Sequence, residues 1–405
     1  MKEKVSFPRP YHNRGRKPLV EGVAVSGRTV PRHTNEFWTH RQRQSCSIHE
    51  ISYRACFKAQ LPRFFIEALT KPGDAVYDPF GGRGTTAVES ALLRRRVVSN
   101  DVNPLSEILA RPRLSPPRLS ELTERLAEIP IDKSLRAGMD LSMFYEGQTE
   151  AEIVSLKAYL QERHESGKED SLDSWLRMVA TNRLTGHSTG YFSVYTLPPN
   201  QATSPERQRK INRKLGQRPE YRDTRKIILK KSKSLLRALT DGQRRALVKA
   251  SGSARFLTKD ARDTSEIPGG SVALTVTSPP FLDVVQYSAD NWLRCWFNGI
   301  DADKVARGIT MSHTLDEWSK VMGETFAELY RVTKKGGHVA FEVGEIRKAS
   351  VKLDEYVVPL GLRAGFECVC IVVNAQEFTK TANIWGVSNM RRGTNTNRIV
   401  VFKKI

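Results

Sequence analysis

A chain of 405 residues with 65 Lys and Arg against 44 Asp and Glu carries a formal charge of +21 and a pI near 9.9. This exceeds what solubility requires and points to a polyanionic partner, with nucleic acid first. No run approaches the roughly 18 apolar residues of a membrane helix, and the N-terminus MKEKVSFPRPYHNRGRKP lacks the apolar centre of a secretory leader, so a cytoplasmic protein away from membranes is expected. The five cysteines form no CxxC and the eight histidines no HxxxH or HExxH, which speaks against a disulfide framework and a zinc site; no metal is predicted.

The length suits one large α/β domain carrying an insertion. Residues 1–46 are basic, rich in Pro, Gly, Arg and His, and without clear periodicity, which fits either a flexible arm lying on phosphates or a plain disordered tail. From Ser47 the pattern sharpens into a helix (LPRFFIEALT), a turn (KPGD), a short strand (AVYD), a Gly-rich loop (PFGGRGTT), a helix (AVESALLRRR) and a strand (VVSND). That order opens a doubly wound, Rossmann-like α/β sheet, in which ligands sit at the carboxyl ends of the strands. The sheet resumes near residue 253 with ARFLTKD, VALTVT, the helix LDEWSKVMGETFAELYRVT, the strand HVAFEVG and the closing strands FECVCIVVN and NRIVVFKK. The catalytic domain is thus predicted over 47–112 and 253–405, with a mainly helical insertion at 113–252.

Two constellations carry the chemistry. In Asp78-Pro79-Phe80-Gly81-Gly82-Arg83-Gly84-Thr85-Thr86 the glycines let backbone approach a ligand, and the following helix offers unpaired N–H groups. After the next strand, Asp101 stands where an acid accepts both hydroxyls of a ribose, although a helix cap or turn would use it equally. The second constellation, Thr277-Ser278-Pro279-Pro280-Phe281, follows an apolar strand that delivers it to the same crevice. Neither proline has a backbone donor. The Ser278 oxygen and the Pro279 carbonyl remain as acceptors for an amino group, and Phe281 offers a face for stacking.

Together DPFGGRGTT, NDVNP and TSPPF resemble the signature set of the amino-methyltransferases of DNA, and the segments after SPPF are also similar to that family. The resemblance covers roughly 47–112 and 253–405. It implies S-adenosyl-L-methionine as cofactor, with Asp78, Phe80, Gly82, Gly84 and Thr85 around its methionine part, Asp101 on the ribose, and Asp260 with Ala261 at the adenine. YRACFK (53–58) resembles the segment that closes over the methionine, with Phe57 the residue of choice there and core packing its alternative. The catalytic set implied is Ser278, Pro279, Pro280 and Phe281. In the family a Ser at the first position of this tetrapeptide goes with cytosine N4, and Asp or Asn with adenine N6. The function expected is therefore cytosine-N4 methylation of double-stranded DNA by base flipping and direct in-line transfer, in a prokaryotic or phage, nucleoid-associated protein with or without a cognate restriction endonuclease. Adenine-N6 methylation, RNA base methylation and a non-catalytic nucleic-acid-binding protein are the alternatives. Cytosine C5 methylation is excluded because it needs a thiolate, usually in a Pro-Cys pair, and the chain has none.

Within the insertion, residues 201–250 hold 16 Lys and Arg against 4 Asp and Glu. Such a cluster suits a surface gripping phosphates as well as a solvated helical face. By residue type, Arg183, His187, Tyr191, Arg207, Arg209, Lys210, Arg213 and Lys214 are the candidates for touching DNA, with Tyr191 and Tyr195 equally suited to a core.

Overall fold

The computed structural model describes residues 18–38, 45–54, 56–197, 203–280, 287–308, 312, 314–346, 351–375 and 396–405. The chain opens on a hairpin, β1 (Leu19–Val25) and β2 (Arg28–Asn35), turned at Ser26-Gly27 with φ of 50° and 73°. Two successive positive φ values give a turn whose twist matches that of the strands. Then come α1 (Gln60–Leu69), β3 (Ala75–Asp78), α2 (Thr85–Leu92), β4 (Arg96–Asn100) and α3 (Leu105–Ala110). The insertion supplies α4 (Leu119–Glu128), α5 (Gly147–Glu165), α6 (Ser171–Thr181), α7 (Pro205–Leu215), α8 (Thr224–Leu236) and α9 (Asp241–Ser251). The sheet returns with β5 (Arg255–Leu257) and β6 (Val272–Thr277), followed by α10 (Tyr287–Phe297), α11 (Ala302–Gly308), α12 (Leu315–Val332) and β7 (Thr333–Val343). A two-stranded ribbon, β8 (Glu345–Ile346) with β9 (Val351–Lys352), precedes α13 (Leu353–Arg363), β10 (Glu367–Ala375) and β11 (Thr396–Lys403).

Nine strands form one sheet in the order β1-β2-β10-β11-β7-β6-β3-β4-β5. Strands β5, β4, β3, β6 and β7 are mutually parallel, and β11 is inserted antiparallel between β7 and β10. The chain winds outward in one direction from β3 and in the other from β6, so the switch between them opens a crevice at their carboxyl ends. Strand alternation fills both faces. Tyr77, Val272, Phe341, Val400 and Phe402 pack under α12 and α13, whereas Val76, Leu274, Val276, Ile399 and Val401 pack with Phe64 and Phe65 of α1. This is the doubly wound α/β sheet predicted.

Two boundaries differ from the sequence reading. Residues 19–38 are not a loose arm: β2 pairs in parallel with β10, and Phe37 and Trp38 are buried with Asn374 Oδ1 accepting from both backbone N–H groups. The alternation of VAV around a Ser-Gly turn was obscured by the surrounding basic composition. Nor does the insertion build a core of its own. Leu122, Leu156, Trp175, Leu176, Ile228 and Leu247 lie in one apolar cluster with Ala87, Val88 and Ala91 of α2 and Leu109 of α3. Arg113, placed first in the insertion, is fully buried under the Gly-rich loop.

Candidate active site

The carboxyl ends of β3, β4 and β6 meet at a cleft whose void, counted to its open mouth, is about 1060 Å³. Of the residues read from the sequence, Phe57, Asp78, Phe80, Gly82, Thr85, Asp101, Asp260, Ala261, Ser278 and Pro280 all line it. Pro279 is buried just behind the wall, and Phe281 lies outside the described residues.

Asp78 ends β3 almost fully buried, its Oδ1 accepting from Thr277 Oγ1 at 2.6 Å and Phe80 N at 3.1 Å. One side-chain bond thus ties the two constellations together. Asp101 accepts from Gly82 N at 2.8 Å with one oxygen and from Asn103 N at 2.9 Å with the other. Each carboxylate oxygen has a second lone pair, so capacity remains for ligand hydroxyls. Protein packed around the carboxyls pushes Asp78 and Asp101 up to about 6. Asn100 clamps the floor between two loops, donating to the carbonyls of Pro79 and Lys259 and accepting from Lys259 N. Asp260, at the rim, is held by Arg262 through both oxygens, and that guanidinium keeps its carboxyl below the ordinary range.

The Gly-rich loop works through its shape. Gly82 has φ of 51° and its N–H reaches Asp101. Gly84 does not face the cleft, contrary to the sequence reading. It has φ of 73°, and a Cβ there would meet Ala110 Cβ at 2.3 Å. Its conformation, not ligand contact, requires glycine. Gly84→Ala is expected to cost about 2–5 kcal/mol, from roughly 1–2 for the left-handed backbone and 1–3 for overpacking, and urea denaturation checks it; an unchanged midpoint would remove this explanation.

The segment Ile51–Lys58 runs along the cleft and contributes Tyr53, Arg54, Cys56 and Phe57 to its wall. Arg83 donates to the carbonyls of Ile51 and Phe57, while Asn182 of the insertion exchanges hydrogen bonds with the backbone of Ser52, at 3.2 and 2.8 Å.

On the catalytic side, Trp318 Nε1 donates to the Pro280 carbonyl at 3.0 Å and fixes the Pro-Pro loop. Sequence reasoning missed Glu342. It stands near the end of β7, 7% exposed, accepting from Asn397 Nδ2 at 2.9 Å, with burial holding its carboxyl above the ordinary Glu range and the Ser278 and Asn397 side chains opposing that shift. A lone acid inside the apolar strand HVAFEV was the available signal. A Ser278 hydroxyl that gives its one proton to Glu342 keeps its lone pairs to accept from a substrate.

Two of the nucleic-acid candidates are corrected. Arg183 and Tyr191 are buried, 7% and 6% exposed, with the guanidinium 3.9 Å above the Tyr191 ring centre. They form a core cation–π pair. His187, Arg207, Arg209, Lys210, Arg213 and Lys214 are exposed. Among the described residues no group of three His, Cys, Asp or Glu converges as a metal site, and no helix is long and apolar enough to cross a membrane.

A family model described as DNA methylase matches residues 12–108. Over 61 residues the chain is 39% identical to the type II methyltransferase M.PvuII of Proteus hauseri, a stretch covering 15% of this chain and 18% of that protein. Among solved structures, TrmN from Thermus thermophilus aligns over 90% of this chain and 53% of its own at 14% identity and a TM-score of 0.32. The rRNA methyltransferase aviRa from Streptomyces viridochromogenes aligns over 91% and 95% at 11% identity and a TM-score of 0.36. The chain therefore spans about a fifth of M.PvuII and half of TrmN in these alignments.

The residues present fit S-adenosyl-L-methionine: the Asp78 and Asp101 carboxyls would suit a cationic sulfur and a ribose, and the glycine backbone leaves room beside them. Over residues 12–108 the chain is thus similar to the DNA methylases, and its doubly wound sheet brings the Gly-rich loop and Asp101 of that segment to one cleft with Ser278.

Proposed function

We propose that the protein methylates the exocyclic N4 amino group of cytosine in double-stranded DNA. The observation that carries this reading is Ser278, at the carboxyl end of β6, lining the same cleft as Asp78 and Asp101, with its hydroxyl interacting with the buried Glu342 carboxyl. Asp78 and Phe80, with Gly82 and Thr85, hold the methionine part of the cofactor; Asp101 takes the ribose and Asp260 the adenine amino group. The cofactor supplies a methyl group on a positively charged sulfur, open to in-line attack by a nitrogen lone pair. An amino nitrogen conjugated to its ring is a poor nucleophile. Ser278 Oγ and the Pro279 carbonyl, accepting its two hydrogens, favour the pyramidal geometry that frees the lone pair. The proton that must leave the nitrogen then has a route through Ser278 Oγ to the Glu342 carboxylate. No covalent bond to the protein is needed. A base inside a duplex cannot reach the cleft, so the target is flipped out.

Incubating DNA with protein and cofactor, then digesting it for mass spectrometry of the nucleosides, is expected to yield N4-methylcytosine. N6-methyladenine would overturn the base assignment. Modification of RNA alone, or of nothing, would overturn DNA as substrate.

A further inference from the structure

Helix α7 is built unlike the helices around it. Of its eleven residues only Gln208 is buried, and Leu215 is 53% exposed. A helix of this length with so little apolar burial is marginal in water. Its ends are nevertheless fixed: Ser204 caps the first turn by accepting from Arg207 N, Pro205 occupies the first helical position, and Gly216 closes the helix at φ 58°. Amide side chains moor one face. Gln208 and Gln217 donate to the Tyr195 carbonyl at 3.0 and 2.9 Å, and Asn212 donates to the Met143 carbonyl at 2.8 Å.

On the half turned away from those moorings stand Arg207, Lys210, Arg213 and Lys214, all exposed and none in an ion pair among the described residues, whereas Arg209 turns aside to Asp140 at 2.7 Å. The helix is tied toward the cleft through α10: the Thr203 carbonyl accepts from Trp292 Nε1 at 3.2 Å, and Asp290 of α10 accepts from Arg54, which lines the cleft. A pre-capped helix about 16 Å long, bearing four exposed cations outside any ion pair among the described residues, is shaped for a polyanion that admits a whole helix.

We infer that α7 is the element that enters the major groove of the DNA duplex, with Arg207, Lys210, Arg213 and Lys214 on phosphates and base edges flanking the flipped target. The B-form major groove, about 12 Å wide, accepts an α-helix, and the deep, narrow groove of A-form RNA does not. The inference rests on DNA being the substrate.

The test compares wild-type protein with the quadruple variant Arg207→Ala, Lys210→Ala, Arg213→Ala and Lys214→Ala, full-length and cofactor-loaded, on a DNA duplex and on an RNA hairpin, across a salt series. The substitutions leave the amide moorings and both caps intact, and alanine favours helix. The variant is expected to keep cofactor affinity and melting temperature, to bind the duplex at least tenfold more weakly at fixed low salt, and to lower the slope of log affinity against log salt by about 0.9 for each phosphate that it no longer neutralises. Lys210→Glu alone should weaken binding in the same direction. Unchanged duplex affinity and slope, or a loss seen on RNA alone, would overturn the inference. Wild-type protein that binds duplex through α7 yet leaves every nucleoside unmodified would instead overturn the methylation reading and leave this one standing.

Discussion

Ser278→Ala is expected to cut turnover on DNA at least about tenfold, a loss of some 1.4 kcal/mol at the transition state, while calorimetry finds cofactor affinity nearly unchanged. The separation follows from position. On the proposed function, Asp78, Asp101 and the glycine loop would hold the cofactor side of the cleft and Ser278 Oγ would meet the amino group. Glu342→Ala should reproduce the loss, because Ser278 would then be free to turn its proton toward the substrate and offer a donor where an acceptor is needed. Glu342→Gln, which can still accept that proton through its amide oxygen, should lose less. The wild-type rate should also fall on acidification, since a protonated Glu342 donates to Ser278 instead of accepting from it, and its carboxyl protonates above the usual Glu range. Full activity in Ser278→Ala would remove the residue from the mechanism.

The second large effect concerns Asp101. Its replacement by alanine is expected to weaken cofactor binding about a hundredfold or more, from the loss of two hydrogen bonds to a charged acceptor at roughly 1.5 kcal/mol or more each. The pH dependence has a definite sign. In the free protein Asp78 and Asp101 titrate near 6 because packing disfavours their charged forms. A cationic, hydroxyl-bearing ligand favours those charged forms and lowers both values, so binding releases protons below pH 6. Affinity should be flat above about pH 7 and fall as pH drops through 6, by up to about tenfold per pH unit for each carboxylate. Calorimetry in buffers of different ionisation enthalpy counts the protons directly. A profile flat from pH 5 to 8 would contradict the coupling.

What could be read from the sequence had local causes. The strand, Gly-loop, helix and strand around Asp78 and Asp101 are contiguous, so periodicity and turn residues suffice, and TSPPF follows an apolar strand whose end must deliver it. Glu342 showed only as an acid in an apolar strand, for the opposite reason: Ser278 is 64 positions away in the chain, and only pairing of β7 with β6 and β11 brings the two near. Arg183 and Tyr191 looked like nucleic-acid contacts by type alone. Their burial follows from the way the loop after α6 folds back, with Phe192 N donating to the Arg183 carbonyl, which no residue pattern announces. The hairpin at 19–35 escaped because strands paired to a distant partner leave only a weak local trace.

That hairpin sets the order in which the protein can be finished. Phe37 and Trp38 bond to Asn374, more than 330 positions later, and β2 lines up with Ile371–Asn374. During synthesis β1 and β2 leave the ribosome long before β10 and must wait for it. Closing so long a loop is slow compared with forming the local β3-α2-β4 unit. That unit is therefore able to assemble early, while the far edge of the sheet seals only when β10 arrives. A ribosome stalled before β10 would hold a chain with Phe37, Trp38 and the rim of β2 uncovered, a substrate for chaperones and for strand-to-strand aggregation.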